Sequence, residues 1–235
     1  MARGRLRNKA EDLVMACEGR FTEEHAAMAQ LHLDAYDHLT RKIGELDALI
    51  ATTAAPYADL IGRLMTIPGI GLRSAEVIVA ETGGDMTRFP SPKQLAAWAG
   101  LAPANRESAG KRMRAGTRQG NKHLKAALTE ATWAASRTPT RIGARFRRLA
   151  RRFGKDHAKK AATAVAHTLL RIAWAIMAQG GVYREDGADF YDRREARHAE
   201  HIAARSIATL QRLGYQVSVV PPNPATPDPP QETTA

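Results

Sequence analysis

Residues 64–78 read LMTIPGIGLRSAEVI, and this stretch decides how the centre of the chain folds. The apolar residues before Pro68 predict the end of a helix, because proline cannot continue one. Gly69 and Gly71 flank Ile70, so the backbone can turn tightly and approach a neighbouring group closely. Apolar residues at helical spacing follow the second glycine. The stretch therefore predicts two helices joined by a short turn.

The same turn predicts a site for phosphate. The first backbone amides of a helix have no carbonyl partner, and helix N-termini attract anions. This is the pattern of a helix-hairpin-helix, which holds a nucleic-acid backbone without reading its bases. We assign DNA binding here to Gly69, Ile70, Gly71, Arg73 and Ser74. The alternative is an ordinary corner between two helices that binds nothing.

The distribution of charge supports a polyanionic partner. The chain has 235 residues and a formal net charge of +11. Residues 104–160 contain 17 Lys and Arg against three acids, a net +14, whereas the remainder carries −3. Such a concentration favours phosphate contacts over a merely solvated surface. In this segment we assign DNA contacts to Arg106, Lys111, Arg112, Arg114, Arg118 and Lys122.

Hydrophobic periodicity predicts an all-α fold. Helices are expected over residues 22–52, 92–99, 122–136, 141–153, 159–179 and 193–213. Thr22 is the expected N-cap of the first, and Ser91 with Gln94 forms a capping box for the second. Residues 105–121 hold three glycines among basic residues, which predicts a mobile cationic loop.

Four segments are predicted along the chain. Residues 1–60 form a helical or coiled-coil segment, and residues 61–182 form the DNA-binding domain with the helix-hairpin-helix. Residues 183–220 form a C-terminal helix and a short extended run, Val217 to Val220. Residues 221–235 are rich in proline without an apolar anchor, which predicts disorder.

One apolar seam lies in the first predicted helix. Its members alternate at spacings of three and four: Tyr36, Leu39, Ile43, Leu46 and Ile50. Two heptads of this kind fit a coiled coil between two copies of the chain, and they fit equally a single helix packed on its own domain. The residues alone leave both interpretations open.

Cysteine content and hydropathy indicate the cellular compartment of the protein. The single cysteine, Cys17, excludes an internal disulfide and a cysteine-based zinc finger, and it fits a reducing cytoplasm. The N-terminus has no apolar stretch of the kind found in a signal peptide. The most apolar segment, residues 161–178, contains His167 and Arg171, which favours a buried core helix over a membrane span. We therefore expect a cytoplasmic protein without a membrane partner.

Seven blocks in serial order carry a family resemblance. They are IPGIG (67–71), AEVIVAETGG (75–84), RFPSPKQLAAWAGLAP (88–103), NRESAGKR (105–112), GNKHLKAAL (120–128), GKDHAKKAATAVAHTLLRIAWAI (154–176) and LGYQVSVVP (213–221). Together they resemble the C-terminal transposase domain of the IS one-ten insertion-sequence family. The similarity extends weakly into the coiled-coil segment.

The resemblance implies a role for one serine. Members of the family combine a RuvC-like nuclease domain, which holds metal ions on acidic residues, with a domain like this one, which supplies a serine that bonds covalently to DNA. By motif position that serine is Ser108. Members commonly have glycine next, where this chain has Ala109. The resemblance also implies a bacterial, DNA-associated protein, a guide RNA and assembly of several subunits.

The residues before the hairpin lack the pattern of strand-borne aspartates. We therefore assign no metal ligand and no cofactor to this chain, and we expect Mg²⁺ only together with a nuclease domain. On that expectation the chain alone binds DNA and catalyses little. Two alternatives are a non-catalytic helix-hairpin-helix accessory or regulatory protein and an interaction protein whose coiled coil docks a partner. Without the resemblance, Ser108 would be an ordinary loop serine.

Overall fold

The computed structural model describes residues 8–19, 21–104, 107–113, 116–154 and 157–219. Two compact units divide the chain, Met1–Leu60 and Ile61–Ala235. The all-α class is confirmed, because the described chain is mostly helical and its strands are two residues long. The predicted disordered tail, residues 221–235, lies outside the described residues.

The first unit contains α1 (Ala10–Cys17) and α2 (Glu23–Ala54). Thr22 caps α2 as predicted: its hydroxyl accepts from the amide of His25, whose ring accepts in return from the amide of Thr22. No residue of α2 is buried, and the five seam residues are between 40% and 60% exposed. A 3₁₀ turn, Ala55–Tyr57, follows α2 at the position of Pro56.

The second unit begins within α3. Its helices are α3 (Ala58–Met65), α4 (Leu72–Thr82), α5 (Pro92–Trp98), α6 (Lys122–Ser136), α7 (Arg141–Phe153), α8 (Ala158–Gln179) and α9 (Phe190–Arg212), with a 3₁₀ turn at Met86–Arg88. The capping box at Ser91 is confirmed, since both of its hydrogen bonds with Gln94 are present. The last helix begins three residues earlier than predicted, and residues 217–219 form no strand.

Helices α6 and α8 form the centre of this unit. Helix α8 contacts α5, α6 and α7, and α6 also contacts α4 and α7. Alanines occupy much of the buried surface of both central helices, which allows their backbones to approach closely: Ala127, Ala131 and Ala135 in α6, and Ala161, Ala162, Ala166 and Ala173 in α8. Leu128 and Leu169 are fully buried and fill the space beside them.

Helix α8 is long and apolar enough to cross a membrane by length and composition. Eight of its residues are nevertheless buried inside the unit, where they pack against neighbouring helices. The indole of Trp174 on α8 also donates to the carbonyl of Phe89 at 2.8 Å, which ties the segment before α5 to this helix. The prediction of a core helix is confirmed.

Helices α4 and α6 run antiparallel, and contacts at both ends show it. A Cβ added to Gly69, just before α4, would overlap the carbonyl of Ala131 and lie 2.8 Å from the Cβ of Ala135 near the end of α6. At the other end, Asn121 caps the start of α6 and donates to Glu81 of α4 at 2.5 Å. The start of each helix therefore lies beside the end of the other.

The predicted mobile loop over residues 105–121 is wrong in part. Strands β1 (Glu107–Ser108) and β2 (Lys111–Arg112) pair antiparallel in this segment. The two residues between them both have positive φ, 50° at Ala109 and 73° at Gly110, as in the tight turns that fit strand twist. Glycine content indicated a loop, but here the glycines supply the turn and the base of a hairpin.

The packing of Gly69 predicts the effect of its replacement. Gly69 has φ of +88° and no room for a side chain against α6, so Gly69→Ala should lower the free energy of unfolding by about 3 kcal/mol. Gly71→Ala is the matched control, because Gly71 has φ of −94° and open space, and it should cost less than about 1 kcal/mol. Urea unfolding measures both, and equal losses would contradict the assigned contact.

Candidate nucleic-acid interface

The turn between α3 and α4 divides the predicted DNA-binding residues into two groups. Ile70 is buried, and Gly69 packs against α6, so both shape the turn from inside. Gly71 and Arg73 are exposed, and Ser74 is half-buried. Gly71 supplies no side-chain cap, so the amides in the first turn of α4 remain available to an anion. Arg73 adds a cation there and also contacts Glu76 at 3.1 Å.

Ser108 lies at the tip of the β1–β2 hairpin. It is exposed, and it directly precedes the turn formed by Ala109 and Gly110. Among the described residues Ala109 is the one non-glycine with positive φ. A left-handed conformation costs an L-residue about 1–2 kcal/mol, so alanine holds this tip in a strained backbone. Glycine, which the family resemblance leads us to expect at this position, would relieve that strain.

The base of the hairpin is pinned to the helical core. Gly100, which ends α5, and Gly120, which precedes α6, approach so closely that a Cβ on either would overlap the backbone beside the other. Ala104 donates its amide to the carbonyl of Gly116 at 3.1 Å, and Pro103 bridges to Thr117. Ser108 is thus presented on a short arm whose attachment is fixed.

Basic side chains lie on the hairpin that carries Ser108 and near its base. Lys111 pairs with it in the strand register, so the two side chains share one face of the hairpin, and Glu107 lies on the opposite face. Arg118 and Lys122 are exposed near the hairpin base and the start of α6. Arg112 pairs with Glu107 through its backbone. Arg106 and Arg114 lie outside the described residues.

The two candidate sites do not converge. The turn at Gly69 lies beside the end of α6, whereas the hairpin leaves the chain at the start of α6. The helical residues between Asn121 and the Ala131–Ala135 contact correspond to about 15–20 Å at 1.5 Å per residue. One phosphate cannot touch both sites, so any shared ligand must be extended.

Part of the basic segment is neutralised by acids that sequence analysis did not connect to it. Arg141 of α7 pairs with Asp186 at 2.5 Å, and its amide donates to Glu185 at 2.7 Å. Arg148 of α7 pairs with Glu195 of α9. In the sequence, the cluster of acids at residues 185–195 is the feature that could have indicated this neutralisation.

Cations also crowd the contact between α7 and α8. Burial lowers the pKa of His167, and the nearby charges of Arg171 and Arg145 lower it further. Burial raises the pKa of Tyr183 to about 12, so this phenol beside Arg141 stays neutral. Within the described residues no three His, Cys, Asp or Glu side chains are placed to hold a metal ion.

Comparison with known proteins identifies what the chain is similar to. Residues 62–147 match the family described as Transposase IS116/IS110/IS902. The y4pF/y4sB protein of Sinorhizobium fredii is 30% identical over 188 residues, which is 78% of this chain and 48% of that protein. The transposase for insertion sequence element IS1328 of Yersinia enterocolitica is 29% identical over 161 residues, 66% of this chain and 46% of its own length. The chain spans about half the length of these relatives.

The strained turn at Ala109 yields a prediction. Ala109→Gly should relax the hairpin tip by about 0.5–1 kcal/mol, because glycine adopts positive φ without the Cβ penalty but is more flexible when unfolded. Hydrogen exchange at the amide of Lys111 should slow by about 2- to 5-fold. Ala104→Gly on the same hairpin is the control: Ala104 does not have positive φ, so this change should speed exchange. Faster exchange in Ala109→Gly would show that the turn is unstrained.

Proposed function

We propose that this chain, which carries a domain of the IS116/IS110/IS902 transposase family, binds the DNA backbone and presents Ser108 to a phosphodiester during transposition. The observation that carries the proposal is the hairpin, where an exposed serine is paired across the strands with a lysine. The base of the hairpin is held by the close contact between Gly100 and Gly120, which restricts the position of that serine. Preorganised cations around a nucleophile are what phosphoryl transfer requires.

The chemistry at Ser108 is a transesterification. The Oγ attacks phosphorus in line, a bond between serine oxygen and phosphorus forms, and the bond from phosphorus to the leaving sugar oxygen breaks. The hydroxyl proton passes to a base, and the leaving oxygen acquires a proton. Lys111 faces the developing negative charge on the phosphoryl oxygens. Arg118 and Lys122 neutralise neighbouring phosphates.

The described residues do not fit a Mg²⁺ site, since they offer no cluster of three ligating side chains. No step of the proposed reaction therefore uses a metal ion held by these residues. The proton acceptor is proposed to come from another domain, as are any metal ions. The product is a phosphoserine ester that preserves the energy of the broken DNA bond for a later joining step.

The second contact with DNA is proposed at the first turn of α4. Its free amides and Arg73 hold the backbone about 15–20 Å from the start of α6, a separation of roughly five phosphates along one strand of B-DNA. Such contacts position DNA without reading its sequence. In this proposal sequence choice is left to other elements, among them a guide RNA.

Two copies are proposed to pair through α2. The seam from Tyr36 to Ile50 is exposed in the single chain, and no residue of α2 is buried. Pairing would remove these apolar side chains from water. Sedimentation of the purified chain at micromolar concentration decides this, and a monomer contradicts it.

The proposal predicts a defined dependence of DNA binding on salt. Each phosphate contact contributes about −0.9 to the slope of log K against log salt concentration. Lys111→Gln with Lys122→Gln should therefore weaken binding to a 30-base-pair duplex and flatten the slope by about two. Lys42→Gln with Lys93→Gln is the control for charge alone. A chain that ignores DNA at low ionic strength contradicts the proposal.

The nucleophile is tested separately from binding. Ser108→Ala should leave the salt slope and affinity unchanged, because the serine hydroxyl adds little to backbone attraction. In the complete transposase assembly it should abolish the covalent protein–DNA adduct, visualised with labelled DNA on a denaturing gel. Thr117→Ala, a hydroxyl on the same hairpin, is the control and should retain the adduct. An adduct that persists in Ser108→Ala would move the chemistry to another residue. If the natural assembly forms no adduct, the alternative role as a non-catalytic accessory protein is supported.

A further inference from the structure

We propose that the arginine surface of α7 is a third DNA-backbone surface and that the acidic segment, residues 185–195, occupies it until DNA displaces that segment. The inference rests on the proposed DNA binding but concerns a different surface from the Ser108 hairpin and the turn before α4. In this proposal DNA is the partner of α7, and the start of α9 has a regulatory role.

The composition of α7 points to a polyanion. Six of its thirteen residues are arginine, and none is acidic. One side of the helix is committed to the core through Ile142 and Phe146. Arg147, Arg148, Arg151 and Arg152 are exposed on the remainder. A guanidinium binds phosphate oxygens through paired donors, so this surface suits a DNA backbone.

The acidic segment lies against this surface in the way a row of phosphates would. Three of the arginines line a cleft of about 180 Å³ with Tyr191 and Asp192 of α9: Arg147, Arg148 and Arg151. Glu195 pairs with Arg148, and Asp186 pairs with Arg141. Arg148 also lies over the ring of Tyr191 at 5.7 Å. The carboxylates of Asp186 and Glu195 and the ring of Tyr191 thus occupy the positions that phosphates and bases would take in the proposed DNA complex.

The attachment of this segment is suited to displacement. No residue of α9 is buried, so the helix is held by surface contacts rather than by a core. The Arg148–Glu195 pair is exposed, with side chains that are 47% and 56% accessible. In the Arg141–Asp186 pair the carboxylate is 42% accessible and the guanidinium 25%. Exposed pairs contribute little and are screened by salt. A DNA backbone offers more charges than the two carboxylates it would replace.

The test removes the two carboxylates that form ion pairs with α7 and compares them with two that do not. Asp186→Asn with Glu195→Gln should tighten binding to a 30-base-pair duplex about 3- to 10-fold. It should also steepen the salt slope by one to two, because arginines are freed to contact phosphate. Asp189→Asn with Glu200→Gln is the matched control, because it removes the same charge from the N-cap of α9 and from α9 itself. Asp189 pairs with Arg193 of α9 at 3.1 Å.

Equal effects of the two double variants on DNA affinity would reduce the result to net charge and overturn the inference. Deuterium exchange gives an independent readout on the natural chain. DNA should speed exchange in residues 190–212 and slow it in residues 141–153, whereas slowing in both would show that α9 stays in place. If Lys111→Gln with Lys122→Gln flattens the salt slope while the acid variants match their control, the proposed function stands and this inference fails. If no variant binds DNA, the proposed function itself fails.

Discussion

The close contact of Gly69 with α6 is the constraint on which the second unit depends. It sets the start of α4 against the end of α6, and the bond from Asn121 to Glu81 closes the other end of the pair. Because α6 also packs on α8, this pairing fixes both the turn before α4 and the base of the hairpin before α6 relative to one core. The separation between the turn before α4 and the start of α6 is therefore set by helix length.

The helices were predictable because their signals are local. Capping residues at Thr22 and Ser91 and apolar spacing in α6, α7 and α8 all act within a few turns. The hairpin at Ser108 was not predictable in the same way, because its geometry depends on Ala109 adopting a conformation that alanine disfavours. The contact of Gly100 with Gly120 joins residues 20 positions apart, and no pattern of neighbouring residues predicts it.

The same distinction applies to the candidate site. Counting charges identifies a basic segment at residues 104–160, but a count does not show which of its cations are paired with acids elsewhere in the chain. Arg141 and Arg148 are paired with carboxylates more than forty residues away, and only the fold brings these groups together. Likewise, Ile70 carries the family motif yet lies in the core, so a motif residue can preserve the shape of a binding turn without touching the ligand.

Competition for the α7 arginines would also reconcile a strongly basic protein with selective DNA contact. Ion pairs of this kind contribute about 0.2–1 kcal/mol each, so the two pairs together raise the cost of opening by about 1 kcal/mol, roughly 5-fold in an equilibrium constant. A duplex already held at the hairpin and at α4 offsets that cost more readily than a brief encounter, because it meets the α7 arginines at high effective concentration. The acidic segment would then favour DNA that engages the whole domain over DNA that touches α7 alone.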